Sequence, residues 1–360
     1  MNAARNHCST RFGGAGIRLA VFAAVSTVGL AACGSSVPAS SGTPAKATTT
    51  STPALPKVTI AKAVNTEPFA AADVALKLGY FTQAGLNAEV VTLGGSSVAN
   101  AALQSGSVQF VLASAASVLL ATSRNVPLLV VGGINKGEGL QLVVANTWVK
   151  AHGITQSQPL ATRIKELEGT TDATLSSSDK TVLKDFELQS HVPSTAIHSV
   201  SISSDSAMLA AVQHGLAQEF IASPPNSSIA VADGFATVIA SSNELPYASD
   251  EADDIVITTP AYAKAHPTVV TAVVKALGEA LTQMSNQTPA GLTAIQSHYP
   301  TLSTAVVKSS LASFTFTPDM RQTQIGWNDA LALARQTGLV KAGAKVNVQE
   351  GGIWTNQFAG

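Results

Sequence analysis

The 360-residue sequence is poor in cysteine, in charge and in aromatic side chains. Its two cysteines cannot build a disulfide scaffold or a cysteine-rich metal cluster. Charged residues make up 12% of the chain and the formal net charge is −1, so no excess of basic residues favours binding to nucleic acid. The chain is nevertheless 46% hydrophobic, which excludes a wholly disordered polymer and provides a substantial core for one large domain or two lobes.

The first 32 residues have the pattern of a secretory signal peptide. Three arginines and no acidic residue precede an apolar run from Leu19 to Ala32, which is too short to cross a bilayer. The run ends in Leu30-Ala31-Ala32-Cys33, which resembles the bacterial lipobox. That resemblance implies cleavage before Cys33 and lipidation of its thiol, so we expect an extracytoplasmic protein anchored to the bacterial cell membrane by lipid. A buried core helix with an incidental cysteine is the alternative interpretation.

Residues 33–56 are rich in serine, threonine, proline and alanine and show no apolar period. Such a segment cannot bury enough apolar surface to order itself. We therefore predict a disordered, semi-extended tether between the lipid and the folded part. A glycosylated stalk would fit the same composition.

From residue 57 onward, short β-branched runs alternate with helical patterns and short loops, which is typical of an α/β protein with mostly parallel sheets. The last hundred residues read as mostly helical. Helices are predicted to begin at three Thr-Pro pairs, in which threonine caps the helix and proline takes its first position: Thr259-Pro260, Thr288-Pro289 and Thr317-Pro318.

One segment of the sequence has an echo about a hundred residues later. Residues 101–109 (AALQSGSVQ) match residues 210–218 (AAVQHGLAQ), and each stretch reads as the end of a helix, a glycine cap and the start of a strand. Two such units indicate two lobes of like topology. Coincidence in an alanine-rich chain is the alternative.

Several motifs of the folded part resemble one family of transport proteins. Leu78 to Phe81 (LGYF), Ala84 to Leu86 (AGL), Gly94-Gly95 and Ala102 to Phe110 (ALQSGSVQF) look like the nitrate/sulfonate/taurine and thiamine-pyrimidine-precursor group of ABC-transporter substrate-binding proteins. The likeness covers roughly residues 57–345, and the first two motifs carry most of its specificity. It implies a two-lobed type II periplasmic-binding-protein fold with two crossing strands, a monomeric chain, and an ABC permease as partner. On that fold we expect a first lobe from residues 57–145 plus 256–360 and a second lobe from residues 146–255.

The sequence departs from this family in two respects. Gln109 and Gln218 stand where the family usually has aspartate, and Pro224 stands where it often has glutamate. These differences bring the family's usual ligand chemistry into question but leave its architecture intact.

The candidate ligand-binding residues lie in polar turns after the predicted strands. Ligands of open α/β sheets bind outside the carboxyl ends of the strands, where the first N–H groups of the helices point. Each serine could instead simply cap its helix. The predicted site comprises Asn65, Thr66, Ser96, Ser97 and Ser114 of the first lobe, with Ser176, Ser177, Ser178 and Pro225 of the second.

The charges around these turns bear on the class of solute. Asp179 follows the serine triplet and would oppose an anion at that helix end, and no arginine lies in any of the turns. These features leave room for a neutral or zwitterionic solute. Glu67 could meet a cationic group, but a solvated acid in the first turn of a helix is the simpler interpretation. Trp148 and Tyr247 are expected near the crossings, as stacking or packing residues.

The sequence therefore predicts the solute-binding component of an ABC importer, which captures a sulfonate, nitrate, a pyrimidine precursor or a similar small solute between its lobes. We expect no enzyme activity, cofactor or metal, because the histidines are scattered and no nucleophile motif occurs. A secreted enzyme or a ligand sensor on the same fold is the alternative.

Overall fold

The computed structural model describes residues 55–137, 139–246 and 250–360. The predicted signal peptide, Cys33, all but the last two residues of the predicted tether, and Tyr247 lie outside the described residues.

Strands and helices alternate through the described part of the chain, as the sequence pattern predicts. The strands are β1 (Lys57–Lys62), β2 (Asn87–Thr92), β3 (Phe110–Ser114), β4 (Leu129–Gly133), β5 (Asn135–Lys136), β6 (Gln141–Ala145), β7 (Thr171–Thr174), β8 (His198–Ser201), β9 (Glu219–Ala222), β10 (Ala236–Ser241), β11 (Asp254–Thr258) and β12 (Thr315–Phe316). The helices are α1 (Ala70–Lys77), α2 (Tyr80–Gln83), α3 (Ser96–Gln104), α4 (Ala115–Thr122), α5 (Asn146–His152), α6 (Leu160–Lys165), α7 (Ser177–Gln189), α8 (Asp205–Gln213), α9 (Asn226–Ala232), α10 (Pro260–Ala265), α11 (Pro267–Ser285), α12 (Pro289–His298), α13 (Thr304–Leu311) and α14 (Gln324–Gln336).

Two five-stranded sheets share one topology. The first has the order β2-β1-β3-β11-β4, and the second, taken from its far edge, has the order β8-β7-β9-β6-β10. In each sheet one strand, β11 or β6, runs antiparallel to both of its neighbours, while the other four run parallel to one another. The predicted α/β class with mostly parallel sheets and two crossing strands is therefore confirmed.

Each sheet has its own hydrophobic packing, and we call the two sheets with their helices the first and second lobes. A large cluster runs from Val58 to Phe358 around the first sheet. In β6, Leu142 and Val144 belong to the cluster on one face of the second sheet, and Val143 belongs to the cluster on the other face. The alternation follows from the two-residue period of a strand whose two faces are both covered.

The predicted lobe boundaries need correction at both crossings. Strand β6, residues 141–145, pairs within the second sheet, and β11 enters the first sheet at Asp254. The chain thus leaves the first sheet after Gly133, the last residue of β4, which is before the predicted boundary at Ala145. Strand β5 pairs with β12 in a separate two-stranded sheet. A short apolar strand has a similar composition in either sheet. The sequence alone therefore could not decide to which of the two sheets β6 belongs.

The internal echo marks equivalent positions of the two lobes. Helix α3 leads into β3 of the first sheet, and α8 leads into β9, which holds the corresponding place in the second sheet. The like topology predicted from residues 101–109 and 210–218 is confirmed.

Two of the three Thr-Pro helix starts are confirmed, and the third is wrong. Thr259 and Thr288 each accept a hydrogen bond at the helix N-terminus with proline at the next position. Thr317-Pro318 instead forms a turn after β12, and α14 begins later, capped by Thr323. The backbone N–H of Thr317 donates to the carbonyl of Ile134 (2.9 Å), so this residue continues the pairing of β12 beside the first crossing.

Candidate functional site

A small cavity lies between the lobes, at the carboxyl ends of strands from both sheets. Its volume is about 30 Å³, which is room for about two water molecules. We call it the cleft cavity. The first lobe supplies Thr66 after β1, Ser96 at the start of α3, and Ser114 at the end of β3. The position agrees with the general rule for ligands of open α/β sheets.

The second lobe faces these groups with hydroxyls of its own. Ser176 and Ser178 follow β7, and Ser223 follows β9. The apolar part of the wall includes Phe69 and Phe314. Five of the nine predicted ligand-binding residues therefore line one cavity, because the parallel strands end at the same sheet edges.

Four of the six hydroxyl-bearing residues that line this cavity fall into two kinds. The Ser114 oxygen accepts from the N–H of Ser117, and the Ser176 oxygen accepts from the N–H of Asp179, so both residues cap helices. The oxygens of Thr66 and Ser178 are buried and have no hydrogen-bond partner within the described part of the chain. A buried polar atom without a partner costs roughly 1–3 kcal/mol. Both oxygens are closed off from solvent in this conformation, so a ligand would reach them once the lobes move apart.

The other predicted residues lie outside the cleft cavity. Ser97 and Ser177 line a neighbouring surface pocket of about 260 Å³. Pro225 precedes α9, and its carbonyl accepts from the N–H of Ile229.

Asn65 belongs to a polar cluster beneath the first loop. Its side-chain oxygen lies 3.1 Å from Nζ of Lys62 and 2.9 Å from Nε2 of His298. Lys62 is buried and also donates to Asp73 (2.6 Å). Burial and the charge of Lys62 lower the pKa of His298, which favours the neutral ring. The Asn65 side chain therefore holds the loop in place and does not face the cavity.

The two lobes are in direct contact around the cavity. The N–H of Asn65 donates to Oδ2 of Asp205 (3.2 Å), and the N–H of Glu67 donates to the carbonyl of Pro224 (3.1 Å). These contacts join the loop after β1 to the second lobe, so the described conformation is closed.

Two aspartates that the sequence analysis did not single out also line the cavity. Asp253 and Asp254 lie at the return crossing, immediately before and at the start of β11. Burial raises the pKa of Asp253 to about 7, although Nδ2 of Asn135 donates to it (2.9 Å). Burial and then the charge of Asp253 raise the pKa of Asp254 well above its usual value. The sequence offered one signal for these site residues, which is the pair of adjacent acids directly before the apolar run of β11.

A model of the NMT1/THI5-like family matches residues 67–289, which is more than half of the chain. The chain belongs to the NMT1/THI5-like family. Among curated proteins, none matches it in sequence.

Solved structures with the same fold include sulfonate- and nitrate-binding proteins. The alkanesulfonate-binding protein SsuA from Xanthomonas axonopodis pv. citri, bound to MOPS, superposes with a TM-score of 0.65 at 19% identity, over 80% of this chain and 94% of that one. The aliphatic sulphonate-binding SsuA from Escherichia coli gives 0.62 at 18% identity, over 84% and 99%. The nitrate-binding protein NrtA from Synechocystis PCC 6803 gives 0.64 at 13%, over 80% and 83%. The expected periplasmic-binding-protein fold is thus confirmed.

The glutamines that depart from the family's usual aspartates lie at the opposite ends of their strands from the cavity. Oε1 of Gln109 accepts from the N–H of Thr59 (2.9 Å), and Oε1 of Gln218 accepts from the N–H of Thr171 (3.0 Å). Each side chain ties the start of the third strand of its lobe to the first strand. We expected the two glutamines to alter the family's usual ligand chemistry. That expectation is corrected, because both side chains join strands and lie away from the cavity.

Two carboxyl groups near the turns differ from their expected states. Glu67 is fully buried, and burial raises its pKa to about 8, so the expected solvated acid is wrong. Asp179 is also buried, and its carboxylate accepts from the N–H groups of Leu175 and Ser176 in a capping box. These bonds hold the Asp179 carboxylate within the turn, and Asp179 does not line the cavity.

Trp148 lies on α5 of the second lobe rather than at a crossing. Its ring stacks on His152 (4.2 Å between centroids), and Nε1 donates to the carbonyl of Glu166. Within residues 55–137, 139–246 and 250–360, no group of three or more His, Cys, Asp or Glu residues is arranged to hold a metal ion. No helix of this described part is long and apolar enough to span a membrane.

Proposed function

We propose that this protein is the extracytoplasmic solute-binding component of an ABC importer. The single observation that carries the proposal is the cleft cavity, in which a free hydroxyl from each lobe, Thr66 and Ser178, lacks a partner in the closed form. A solute that satisfies both hydroxyls contacts both lobes at once. Membership of the NMT1/THI5-like family and the shared fold with sulfonate- and nitrate-binding proteins support the same function.

Capture would work through the balance between open and closed lobes. A solute shifts that balance only by its difference in affinity for the two states. Contacts such as Asn65 to Asp205 form only when the lobes meet, and the solute adds to them. The permease would then recognise the closed lobes and receive the solute.

The lining of the cavity favours an uncharged or amine-bearing solute. The lining residues include no lysine or arginine to balance the negative charge of a sulfonate or nitrate. Asp253 and Asp254 would repel such anions whenever either carboxyl is ionised, but they would accept hydrogen bonds from an amine or amide. Within the classes predicted from the sequence, a neutral or zwitterionic solute suits the polarity of this lining better than nitrate or a simple sulfonate. A solute as large as a pyrimidine precursor would hold the lobes further apart than in the described conformation, whose cavity is only about 30 Å³.

The lipid anchor, the monomeric state and the absence of catalysis belong to the same proposal. Cys33 of the lipobox-like segment would carry the lipid and keep the binding protein beside its permease. A Cys33→Ala chain is expected in the soluble rather than the membrane fraction of cells, as a single monomeric species. The described cavity-lining residues include no histidine and no cysteine, and we assign the lining acids Asp253 and Asp254 to solute binding.

The test is a thermal-shift screen of the Cys33→Ala chain against nitrate, alkanesulfonates, aminopyrimidines and neutral amides at millimolar concentration. A bound solute raises the melting temperature by mass action. We expect the shift with an aminopyrimidine or a neutral amide. A shift with nitrate or sulfonates alone would contradict the proposed solute class, and no shift with any compound would contradict the binding function.

A further inference from the structure

The polar cluster beneath the loop after β1 is also bonded to the second lobe, and we call it the loop cluster. Its side chains belong to Lys62, Asn65, Asp73 and His298. The backbone N–H of Asn65 donates to Oδ2 of Asp205 in the second lobe (3.2 Å). A change in the cluster therefore acts on the contact between the lobes through a single residue.

The buried ammonium group of Lys62 has a partner for each of its three N–H groups. Lys62 is only 1% exposed, and an ammonium group can donate but not accept. It donates to Oδ2 of Asp73 (2.6 Å) and to Oδ1 of Asn65 (3.1 Å), and its third neighbour is Nε2 of His298 (3.1 Å). Nε2 must therefore accept, which means that the ring is neutral and carries its proton on Nδ1.

A proton on Nε2 of His298 would disturb this arrangement. It would place a second positive charge beside Lys62, 3.1 Å away, and remove the third acceptor of the ammonium group. The new N–H would also compete for Oδ1 of Asn65 (2.9 Å), which already accepts from Lys62 and from the Tyr299 hydroxyl (3.4 Å). Burial and then the charge of Lys62 lower the pKa of His298, against the opposing effect of the Asp73 carboxylate (3.6 Å).

Few other charged groups surround the ring. Helix α12, which ends at His298, packs against α1, α11 and α13. Asp73 of α1 and Lys62 of β1 are the charged residues that contact the ring, and the Tyr299 ring packs edge-on against it (4.7 Å between centroids). The remaining charged residues of the three helices, none of which is bonded to His298 in the described part of the chain, are Lys77, Lys275, Glu279 and Lys308.

The loop above this cluster has two backbone bonds to the second lobe. Besides the bond from Asn65 to Asp205, the N–H of Glu67 donates to the carbonyl of Pro224 (3.1 Å). Nδ2 of Asn226 donates to the other carboxylate oxygen of Asp205 (2.6 Å), which fixes that acceptor to α9. Displacement of the loop would therefore break bonds whose partners belong to the other lobe.

We propose that the loop cluster is a pH-sensitive latch between the lobes. Protonation of His298 displaces the Lys62 ammonium group and the Asn65 loop, and the hydrogen bonds of that loop to the second lobe are lost. At neutral pH the ring is uncharged and the latch is closed, whereas in acid the lobes separate. The latch concerns closure itself, so it goes beyond the proposed solute capture and stands whether or not the chain serves an importer.

The test uses NMR to monitor His298 and the loop in one pH titration of the Cys33→Ala chain, without a solute. The ring signals report protonation, and hydrogen exchange of the Asn65 and Glu67 amides reports their bonds to the second lobe. The midpoint of the ring titration should lie below 6.5, because burial lowers the pKa of His298. With the same midpoint, the protection of both amides, relative to their free exchange rates at each pH, should fall about tenfold, which is the loss of one hydrogen bond.

Matched variants assign the effect to His298. His298→Gln offers Lys62 an amide oxygen that cannot be protonated, so the protection of the two loop amides should not change over the same pH range. His214→Gln alters an exposed histidine of the second lobe and should behave as the parent. The amides of β6 report folding, and their protection should not fall in any of the three chains.

The proposal is overturned if the parent amides stay protected while His298 becomes protonated, or if their protection falls with a different midpoint. It is also overturned if His298→Gln shows the same fall, since Asp205, whose pKa burial raises, would then be the group that responds. If His298→Gln does not fold, the comparison of the two midpoints in the parent decides. Because no solute is added, failure of the importer function would leave these outcomes unchanged.

Discussion

At the scale of single residues, serines with the same sequence context have different roles. Ser176 and Ser178 lie in one turn, yet the first holds the capping box of α7 and the second leaves its hydroxyl free in the cleft cavity. A cap contributes to folding, whereas a free buried hydroxyl reduces stability until a ligand pairs with it.

These roles predict opposite effects for the two alanine substitutions. Ser176→Ala should lower the free energy of unfolding by about 1 kcal/mol, because the capping bonds are lost. Ser178→Ala should raise the free energy of unfolding by about 1 kcal/mol, because an unpaired buried hydroxyl is removed, but should weaken solute binding about tenfold, which is the loss of one hydrogen bond. Urea unfolding and calorimetric titration measure the two quantities. Unchanged affinity in Ser178→Ala would show that its hydroxyl does not contact the solute.

At the scale of elements, the repeated helix–strand unit uses the same side-chain bond twice. Gln109 and Gln218 each accept from the first strand of their lobe at nearly equal distances (2.9 and 3.0 Å). An alanine at position 109 or 218 would be too short to reach the first strand. The backbone N–H of Thr59 or Thr171 would then lose this acceptor. The two lobes therefore reuse one device for joining β3 to β1 and β9 to β7.

We expect Gln109→Ala and Gln218→Ala to destabilise the protein by similar amounts, about 1–2 kcal/mol each, without changing solute affinity. Gln104→Ala is the matched control, since its exposed amide bonds only the carbonyl of Pro127, and it should cost less than about 0.5 kcal/mol. Denaturant unfolding compares the three. A large loss of affinity in either glutamine variant would place it in the binding machinery after all.

At the scale of the whole molecule, closure depends on close approach of backbone between the lobes. Gly94 has φ +67°, and an added Cβ would lie 2.7 Å from the carbonyl oxygen of Ser203 in the second lobe. Gly85 has a similar φ of +78° but no atom within 4 Å of such a Cβ. The two glycines separate the effect of backbone strain from that of an obstructed closure.

Gly94→Ala should therefore hold the lobes apart and weaken solute binding, while Gly85→Ala should have only the shared strain of about 1 kcal/mol. Small-angle scattering of the solute-loaded chain should give a larger radius of gyration for Gly94→Ala alone. Equal scattering and equal affinity for the two variants would mean that this contact does not limit closure.

Buried carboxyl groups throughout the molecule predict the response of stability to pH. Burial raises the pKa of Glu67 from 4.5 to about 8, and those of Asp172 and Asp253 from 3.8 to about 7. Between the unfolded and folded pKa values the native state keeps a proton that the unfolded state has lost. The free energy of unfolding should therefore fall as pH rises from about 5 to about 8.

The matched variant is Glu67→Gln, which has no proton to lose. Between pH 5 and pH 7 its stability should fall less steeply than that of the parent, by about 1.4 kcal/mol per pH unit for the one group removed. Melting curves or urea titrations at several pH values give the slopes. An identical slope in parent and variant would show that Glu67 is ionised in the folded protein.

The sequence by itself determined the elements and their general arrangement. Helix α11 (Pro267–Ser285) is an example, because its apolar residues recur with the helical period and the segment is long. The alternation of strands and helices fixed the α/β class, and parallel strands that end together brought five of the nine predicted residues to one cavity. These features follow from the order of apolar and polar residues within each segment, which can be read from the sequence.

Only the tertiary structure decided which groups meet across the chain. The place of β6 in the second sheet, the turn at Thr317-Pro318, and the location of Asp253 and Asp254 in the cleft cavity all depend on contacts between segments far apart in sequence. The same holds for the free hydroxyl of Ser178, since a serine's partner is set by what packs around it. Periodicity describes one segment at a time, and burial is a property of the assembled molecule.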